Sequence, residues 1–180
     1  MRNGGFTLIE LVCSIVIVSI LSAIVIPAVT DVAGAARHAS LSQHAGSFRT
    51  SVQFAHVMWQ VSGNAGFVDN LPSFGDGTVD FNAIGYPIDG TGQGNSGGAN
   101  NNNIPNNNQG DLRCRHLFQA LLIGADSVCG GTGAQGVPCD DQAFHAARRG
   151  ANVCRYSLLD DPARYFEYAV LTGSITLTNP

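Results

Sequence analysis

The sequence predicts an α+β protein in which one long N-terminal helix packs against a small antiparallel sheet. An apolar run covers residues 6–29, and helical periodicity continues beyond it. Near the other end of the chain, three short segments alternate apolar and polar residues, as half-buried strands do. Between these two regions the chain is rich in Gly, Pro and Asn, which favour turns over regular structure.

The apolar run is long enough to form a transmembrane helix. At about 1.5 Å per residue, it spans a hydrocarbon core of about 30 Å. A secretory signal peptide is disfavoured because its apolar core would have only about 7–15 residues. Glu10 is the only charged side chain in the run. Because an unpaired carboxylate in hydrocarbon costs at least a few kcal/mol, we expect Glu10 to have a partner.

The helix is expected to extend from about residue 7 to about residue 62. Residues 30–63 form its amphipathic half, and Gly63 suits a left-handed C-terminal cap. Pro27 removes a backbone donor and predicts a kink. Apolar residues then recur at steps of three and four, forming a stripe that can pack against a globular head: Leu41, Ala45, Phe48, Val52, Ala55 and Trp59.

Residues 64–180 are predicted to form this globular head. Residues 112–123 are expected to form a short helix capped by Asp111, and residues 140–150 another short helix or a turn. The Asn- and Gly-rich stretch 90–110 has little to bury and is expected to be a mobile surface loop. Strands are expected at residues 78–81 and, as an antiparallel meander, at residues 153–159, 164–171 and 174–178.

Four of the five cysteines lie in the head, which favours disulfides formed in an oxidising compartment. They are Cys114, Cys129, Cys139 and Cys154; the fifth, Cys13, lies in the apolar run. Three connectivities are possible. We favour Cys114–Cys154, which would tie the short helix to a strand, and Cys129–Cys139, which would close a polar loop. Zinc binding is disfavoured because no two cysteines are closely spaced.

Several functional classes are disfavoured by composition and motifs. The net charge is −4 and Lys is absent, which argues against a nucleic-acid-binding protein. The five histidines form no metal-binding motif and no serine nucleophile elbow is present, so we expect no catalytic residue, metal or cofactor. A calcium site at Asp69, Asp76, Asp80 and Asn82 is conceivable, but solvated turn acids are favoured since the calcium-loop spacing is missing.

The string Gly-Gly-Phe-Thr-Leu-Ile-Glu at residues 4–10, followed by about twenty apolar residues with a proline near their end, resembles the N-terminus of type IV pilins and pseudopilins. The resemblance implies that residues 1–5 are a leader, which prepilin peptidase removes between Gly5 and Phe6 before methylating the Phe6 amine. It also implies that Glu10 and Pro27 are assembly residues. Pairing with the Phe6 amine of a neighbouring subunit would supply the partner that Glu10 requires.

Residues 113–122, 154–156 and 84–87 are also similar, more loosely, to minor pilins of mannose-sensitive haemagglutinin pili. The resemblance implies a non-enzymatic pilus subunit for adhesion or motility. It would be a single-pass inner-membrane protein with a cytoplasmic leader and a periplasmic head before joining a surface pilus. Its partners would be other pilin subunits, prepilin peptidase, the inner-membrane assembly platform and the lipid bilayer. The alternatives are a pseudopilin of a type II secretion system and a membrane-tethered binding module.

Overall fold

The structure, a computed structural model, describes residues 7–90, 104, 108–124, 128–131, 139–140, 142–150 and 152–178. The chain divides into two compact units, one up to Ser40 and one from Leu41 onward. The elements, in chain order, are α1 (Leu8–Val61), β1 (Asp80–Phe81), β2 (Pro87–Asp89), α2 (Asn108–Leu121), β3 (Val128–Cys129), β4 (Phe144–Arg149), β5 (Val153–Leu158), β6 (Tyr165–Ala169) and β7 (Ser174–Thr178).

The long helix α1 has 54 residues and ends close to the predicted positions. Gly63 has a φ of 69° and its N–H donates to the Gln60 carbonyl at 3.1 Å, so it forms the expected left-handed cap. The helical backbone continues through Pro27, whose side chain lies outside the described residues. Within the described residues, no helix has the length and apolarity needed to cross a membrane. The predicted crossing at residues 6–29 includes positions outside that description and stays a prediction.

In the second unit, the helical stripe forms the core, as predicted. Leu41, Phe48, Val52 and Ala55 are completely buried. Phe48 lies at the centre of an aromatic cluster, with its ring centroid 5.2 Å from that of Tyr156 and 5.4 Å from that of Tyr168. Such pairs contribute about 0.5–1.5 kcal/mol beyond the burial of their area. This part of α1 therefore provides the surface against which the sheet packs.

The main sheet has five strands in the order β3-β4-β5-β6-β7, and β1 and β2 form a separate antiparallel pair. The three predicted meander strands correspond to β5, β6 and β7, which confirms the α+β class. β3 runs parallel to β4, a pairing that was not predicted. Of the strand predicted at residues 78–81, only Asp80 and Phe81 form a strand, β1. Strand β2 was not predicted.

The predicted helix or turn at residues 140–150 is wrong, because residues 144–149 form strand β4. All six residues of β4 pair with β5. Gly150 and Asn152 adopt positive φ angles of 56° and 62°, which let the chain reverse between the strands. Phe144 and Ala146 are completely buried, so the apolar residues follow the period of a strand. Pairing with β5 has overridden a local sequence with little β propensity.

Helix α2 begins at Asn108, earlier than predicted. Asp111 is therefore not the N-cap but lies in the first turn, where its Oδ1 accepts a hydrogen bond from the backbone N–H of Arg148 at 2.7 Å. Most of the stretch 90–110 lies outside the described residues. Ile104 within it is buried, and its N–H donates to Asn152 Oδ1 at 2.8 Å. Ile104 thus anchors the described part of this stretch to the head.

Candidate functional site

The N-terminal end of α1 is closed by hydrogen bonds between Thr7 and Glu10. The Glu10 Oε2 atom accepts from the Thr7 backbone N–H at 3.1 Å and from the Thr7 hydroxyl at 2.9 Å. In return the Glu10 N–H donates to Thr7 Oγ1 at 3.4 Å. This reciprocal arrangement is a capping box, which satisfies donors that have no partner inside the helix. It holds the Glu10 carboxylate in a fixed position at the helix end.

The part of α1 that follows presents apolar side chains to its surroundings on every side. Exposed fractions range from 80% for Leu8 to 44% for Val12. A surface this apolar is typical of a segment that is covered by a partner or by lipid. Other large apolar side chains exposed in this stretch are Ile9, Leu11, Ile15, Val16, Ile17, Val18, Ile20, Leu21 and Val25.

The serines of this stretch are satisfied within the helix. The hydroxyls of Ser14, Ser19 and Ser22 donate to the carbonyl four residues earlier at 2.7, 2.6 and 2.7 Å. These hydroxyls therefore keep their hydrogen bonds when the helix is buried against apolar partners. Glu10 differs from these serines because its exposed side chain carries a charge, which the hydrogen bonds with Thr7 do not neutralise.

The predicted processing pair, Gly5 and Phe6, lies outside the described residues. Pro27 is described only as part of the helical backbone. The structure thus places Glu10 and adds Thr7 as its partner, a contact that the sequence analysis did not identify. The signal was available, since Thr-x-x-Glu before an apolar run is a capping-box pattern.

In the head, the four cysteines form the connectivity that we favoured. Cys114 of α2 is bonded to Cys154 of β5, and both are completely buried. The hydroxyl of Tyr156 donates to the Cys114 carbonyl at 2.9 Å, and burial raises the pKa of this hydroxyl well above its ordinary value. The second disulfide joins buried Cys129 to exposed Cys139.

The acidic residues considered for calcium have separate structural tasks. Asp76 is an exposed turn acid, as predicted: its Oδ1 accepts from the N–H and the hydroxyl of Thr78 at 3.1 and 2.6 Å. The Asn82 amide accepts from the N–H groups of Ile84 and Tyr86 and so holds a turn. Among the described residues, the three aspartates Asp69, Asp76 and Asp80 do not form a group whose carboxylate oxygens lie close enough together to hold a metal ion.

Asp80 contradicts the prediction of a solvated acid, because it is buried beside Asp89 in the β1–β2 pair. Its Oδ1 accepts from the Asn70 N–H at 2.9 Å. Burial raises the pKa of Asp80 to about 7, with a smaller contribution in the same direction from the Asp89 charge. Asp89 in turn lies 3.4 Å from the Arg113 guanidinium, which is also buried. No local sequence pattern could indicate that Asp89 and Arg113 lie together, since they belong to different elements.

Comparison with known protein families shows similarity at the N-terminus. The prokaryotic N-terminal methylation motif matches residues 1–26, the stretch that contains Gly5, Phe6, Thr7 and Glu10. No curated protein and no solved structure shows significant similarity to the chain.

Proposed function

We propose that this chain, which carries the N-terminal signature of type IV pilins and pseudopilins, is a structural subunit of a type IV pilus. The single observation that carries the proposal is the methylation motif at residues 1–26, placed at the start of an exposed apolar helix. The similarity of residues 113–122 to minor pilins favours a minor rather than a major subunit. The filament would serve adhesion or motility, and other proteins would supply the motor.

Processing would come first. Prepilin peptidase would cut between Gly5 and Phe6 on the cytoplasmic side and methylate the new amine. The cut creates a positive charge close to the Glu10 carboxylate in sequence. It also removes the only other charged side chain of the N-terminal stretch, Arg2.

Glu10 would then act as the assembly residue by accepting the Phe6 amine of a neighbouring subunit. Both hydrogen bonds from Thr7 go to Oε2, and an ionised carboxylate has about four lone-pair sites in all. The capping box and the intersubunit pair can therefore exist together. Pairing two opposite charges in an apolar filament core removes the cost of burying either one alone, and it fixes the axial position of one subunit against the next.

The apolar helix would pack against the helices of other subunits in the filament. Before assembly we propose that the same stretch is kept in the inner-membrane bilayer, with the head in the periplasm. The two disulfides support a periplasmic head because they form and persist in oxidising compartments. The inner-membrane assembly platform would move the subunit from the bilayer into the filament.

The test is the presence of the head in filaments sheared from cells. Immunogold labelling and immunoblots would be compared between the parent strain, a strain lacking prepilin peptidase and a strain lacking the pilus assembly platform. We expect labelled filaments in the parent alone and an uncleaved, membrane-associated form in the peptidase mutant. Overexpression of the subunit makes a scarce component visible.

Two outcomes would contradict the proposal. Label that is absent from filaments even on overexpression, with no change in the peptidase mutant, would indicate a tethered binding module. Label that depends on the secretion platform rather than on the pilus platform would indicate a pseudopilin of a type II secretion system.

A further inference from the structure

One histidine lies directly beside one of the two disulfides. The Sγ atoms of Cys129 and Cys139 and a ring nitrogen of His145 all lie within 4.8 Å of one another. Among the described residues, this is the one group of three side chains with metal-binding atoms at such distances. The function proposed above makes no use of it.

Two of the three side chains are held by the sheet. Cys129 of β3 is the register partner of His145 of β4, and partners in adjacent strands present their side chains on the same face. The next residue, Gly130, has a φ of 153°, and a Cβ there would lie 2.5 Å from the Ala146 carbonyl oxygen. The close approach of the strands therefore requires glycine, and it keeps Cys129 and His145 together.

We propose that the Cys129–Cys139 disulfide is the reducible disulfide of the head, and that opening it creates a Cys₂His site for a zinc-class divalent cation. Thiolate and imidazole are the ligands that such cations prefer. The absence of close Cys-x-x-Cys spacing, which disfavoured zinc from the sequence, does not apply here. The sheet pairs Cys129 with His145, and the disulfide holds Cys139 beside them.

Accessibility distinguishes this disulfide from the other one. Cys139 is exposed, whereas Cys114 and Cys154 are both completely buried. Thiol–disulfide exchange requires an attacking thiolate to reach a sulfur atom, so access controls its rate. In the folded protein, exchange with a soluble dithiol therefore begins at the exposed residue of this pair, Cys139. The dithiol can reach Cys114 and Cys154 only after the core has opened.

The reaction consumes one dithiol reductant for each disulfide. A reductant thiolate attacks Cys139 Sγ, the bond between the two protein sulfurs breaks, and Cys129 leaves as a thiolate. The second thiol of the reductant then attacks the mixed disulfide, which releases Cys139 and leaves the reductant as its own disulfide. Two electrons pass to the protein, and the two cysteines carry two protons as thiols. Binding of a divalent cation releases those protons.

The distances suit tetrahedral coordination once the disulfide is open. Bonds of about 2.3 Å to sulfur and about 2.0 Å to nitrogen place neighbouring ligand atoms about 3.5–3.8 Å apart. The two sulfurs, bonded at present, must separate, whereas the imidazole nitrogen already lies within 4.8 Å of both. Because Cys139 faces solvent, water can occupy the fourth position.

The test uses the full-length protein in detergent, a mild dithiol treatment and Co²⁺ as a spectroscopic substitute for Zn²⁺. Alkylation followed by peptide mass spectrometry identifies the reduced cysteines. We expect Cys129 and Cys139 to be alkylated before Cys114 and Cys154. After the reductant is removed, we expect one Co²⁺ per chain with a thiolate charge-transfer band in the near ultraviolet. Addition of Zn²⁺ should abolish this band and protect both thiols from alkylation.

His145→Gln tests the third ligand, with His38→Gln as the matched control on an exposed helical position. Loss of a ligand should weaken Co²⁺ binding at least about tenfold, since even outer partners of metal ligands have effects of that size. The control should bind as the unmodified protein does. Simultaneous reduction of both disulfides would overturn the proposal. So would free thiols that bind no Co²⁺, or equal binding by His145→Gln in a protein with an unchanged circular dichroism spectrum.

Discussion

The Glu10 carboxylate accepts two hydrogen bonds from Thr7 of the same chain, at 3.1 Å from the N–H and 2.9 Å from the hydroxyl. Glu10 therefore has a local structural role in addition to the intersubunit role proposed for it. Removal of its side chain would affect both roles, so Glu10→Ala alone cannot separate them. The capping box offers a way to separate them, because glutamine can replace glutamate in it.

Glu10→Gln should reduce incorporation into filaments by at least about tenfold while preserving the helix cap. The variant keeps an acceptor for Thr7 but loses the charge, and leaving the neighbour's buried amine unpaired costs about 3–5 kcal/mol. Thr7→Ala is the matched control, because it removes the cap, at a cost of about 1 kcal/mol, and keeps the charge. Quantitative immunoblots of sheared filaments measure both. Normal incorporation of Glu10→Gln would show that its charge has no part in assembly.

Removal of the Cys114–Cys154 disulfide should lower the free energy of unfolding by about 4 kcal/mol, because the bond closes a separation of 40 residues. The Cys129–Cys139 bond closes a separation of 10 residues and should contribute about 2.7 kcal/mol. Urea unfolding of the full-length serine double variants in detergent measures both values. A larger loss for the shorter loop would contradict the expectation that the longer loop gives the greater stabilisation.

Asp80 should make the head less stable as the pH rises from about 4 to about 7. Its pKa is raised from 3.8 to about 7 by burial, so over this interval the folded state holds a proton that the unfolded state has released. The stabilising effect of this proton is complete below pH 4 and is lost above pH 7. Asp80→Asn should remove this part of the pH dependence, because the amide oxygen can still accept from the Asn70 N–H.

The control for Asp80 is Asp76→Asn. The pKa of Asp76 is lowered by its hydrogen bond with Thr78, so its contribution to stability is lost only as the pH falls below about 4. Chemical unfolding at several pH values measures both variants. An unchanged slope between pH 4 and 7 in Asp80→Asn would show that this carboxyl does not retain its proton in the folded head.

Gly173→Ala should destabilise the head by more than Gly150→Ala. Both glycines have positive φ angles, 67° and 56°, so both variants are strained by the backbone, at about 1–2 kcal/mol. At Gly173 the new Cβ would also lie 2.1 Å from the Tyr86 ring, whereas at Gly150 nothing lies within 4 Å. We expect an additional loss of about 1–3 kcal/mol at Gly173 from this overpacking. Equal losses in urea unfolding would mean that Tyr86 moves aside freely.

Much of the fold could be predicted where local pattern and tertiary structure agree. Helix α1 has a stripe at steps of three and four residues, and β6 and β7 alternate with period two, so periodicity alone identifies them. The predictions that failed concern segments whose secondary structure is determined by pairing with other parts of the chain. Strand β4 contains two alanines and two arginines, which favour a helix, and it becomes a strand because β5 lies beside it.

The candidate site shows the same division. Glu10 could be identified because it is the only charged side chain in a continuous apolar run, and this context is local in sequence. The burial of Asp80 could not, because its neighbour Asp89 and the cation Arg113 come from separate elements that only the folded head brings together. The cluster of Cys129, Cys139 and His145 also depends on the unpredicted parallel pairing of β3 with β4.

Under the proposed function, this chain is cleaved after Gly5 and assembled into a filament through its new N-terminus. Mass spectrometry of the N-terminal peptide from purified filaments tests both steps together. We predict a peptide that begins at Phe6 and carries one added methyl group on its amine. Filament-associated protein that retains Met1, or that begins at any residue other than Phe6, would contradict the account.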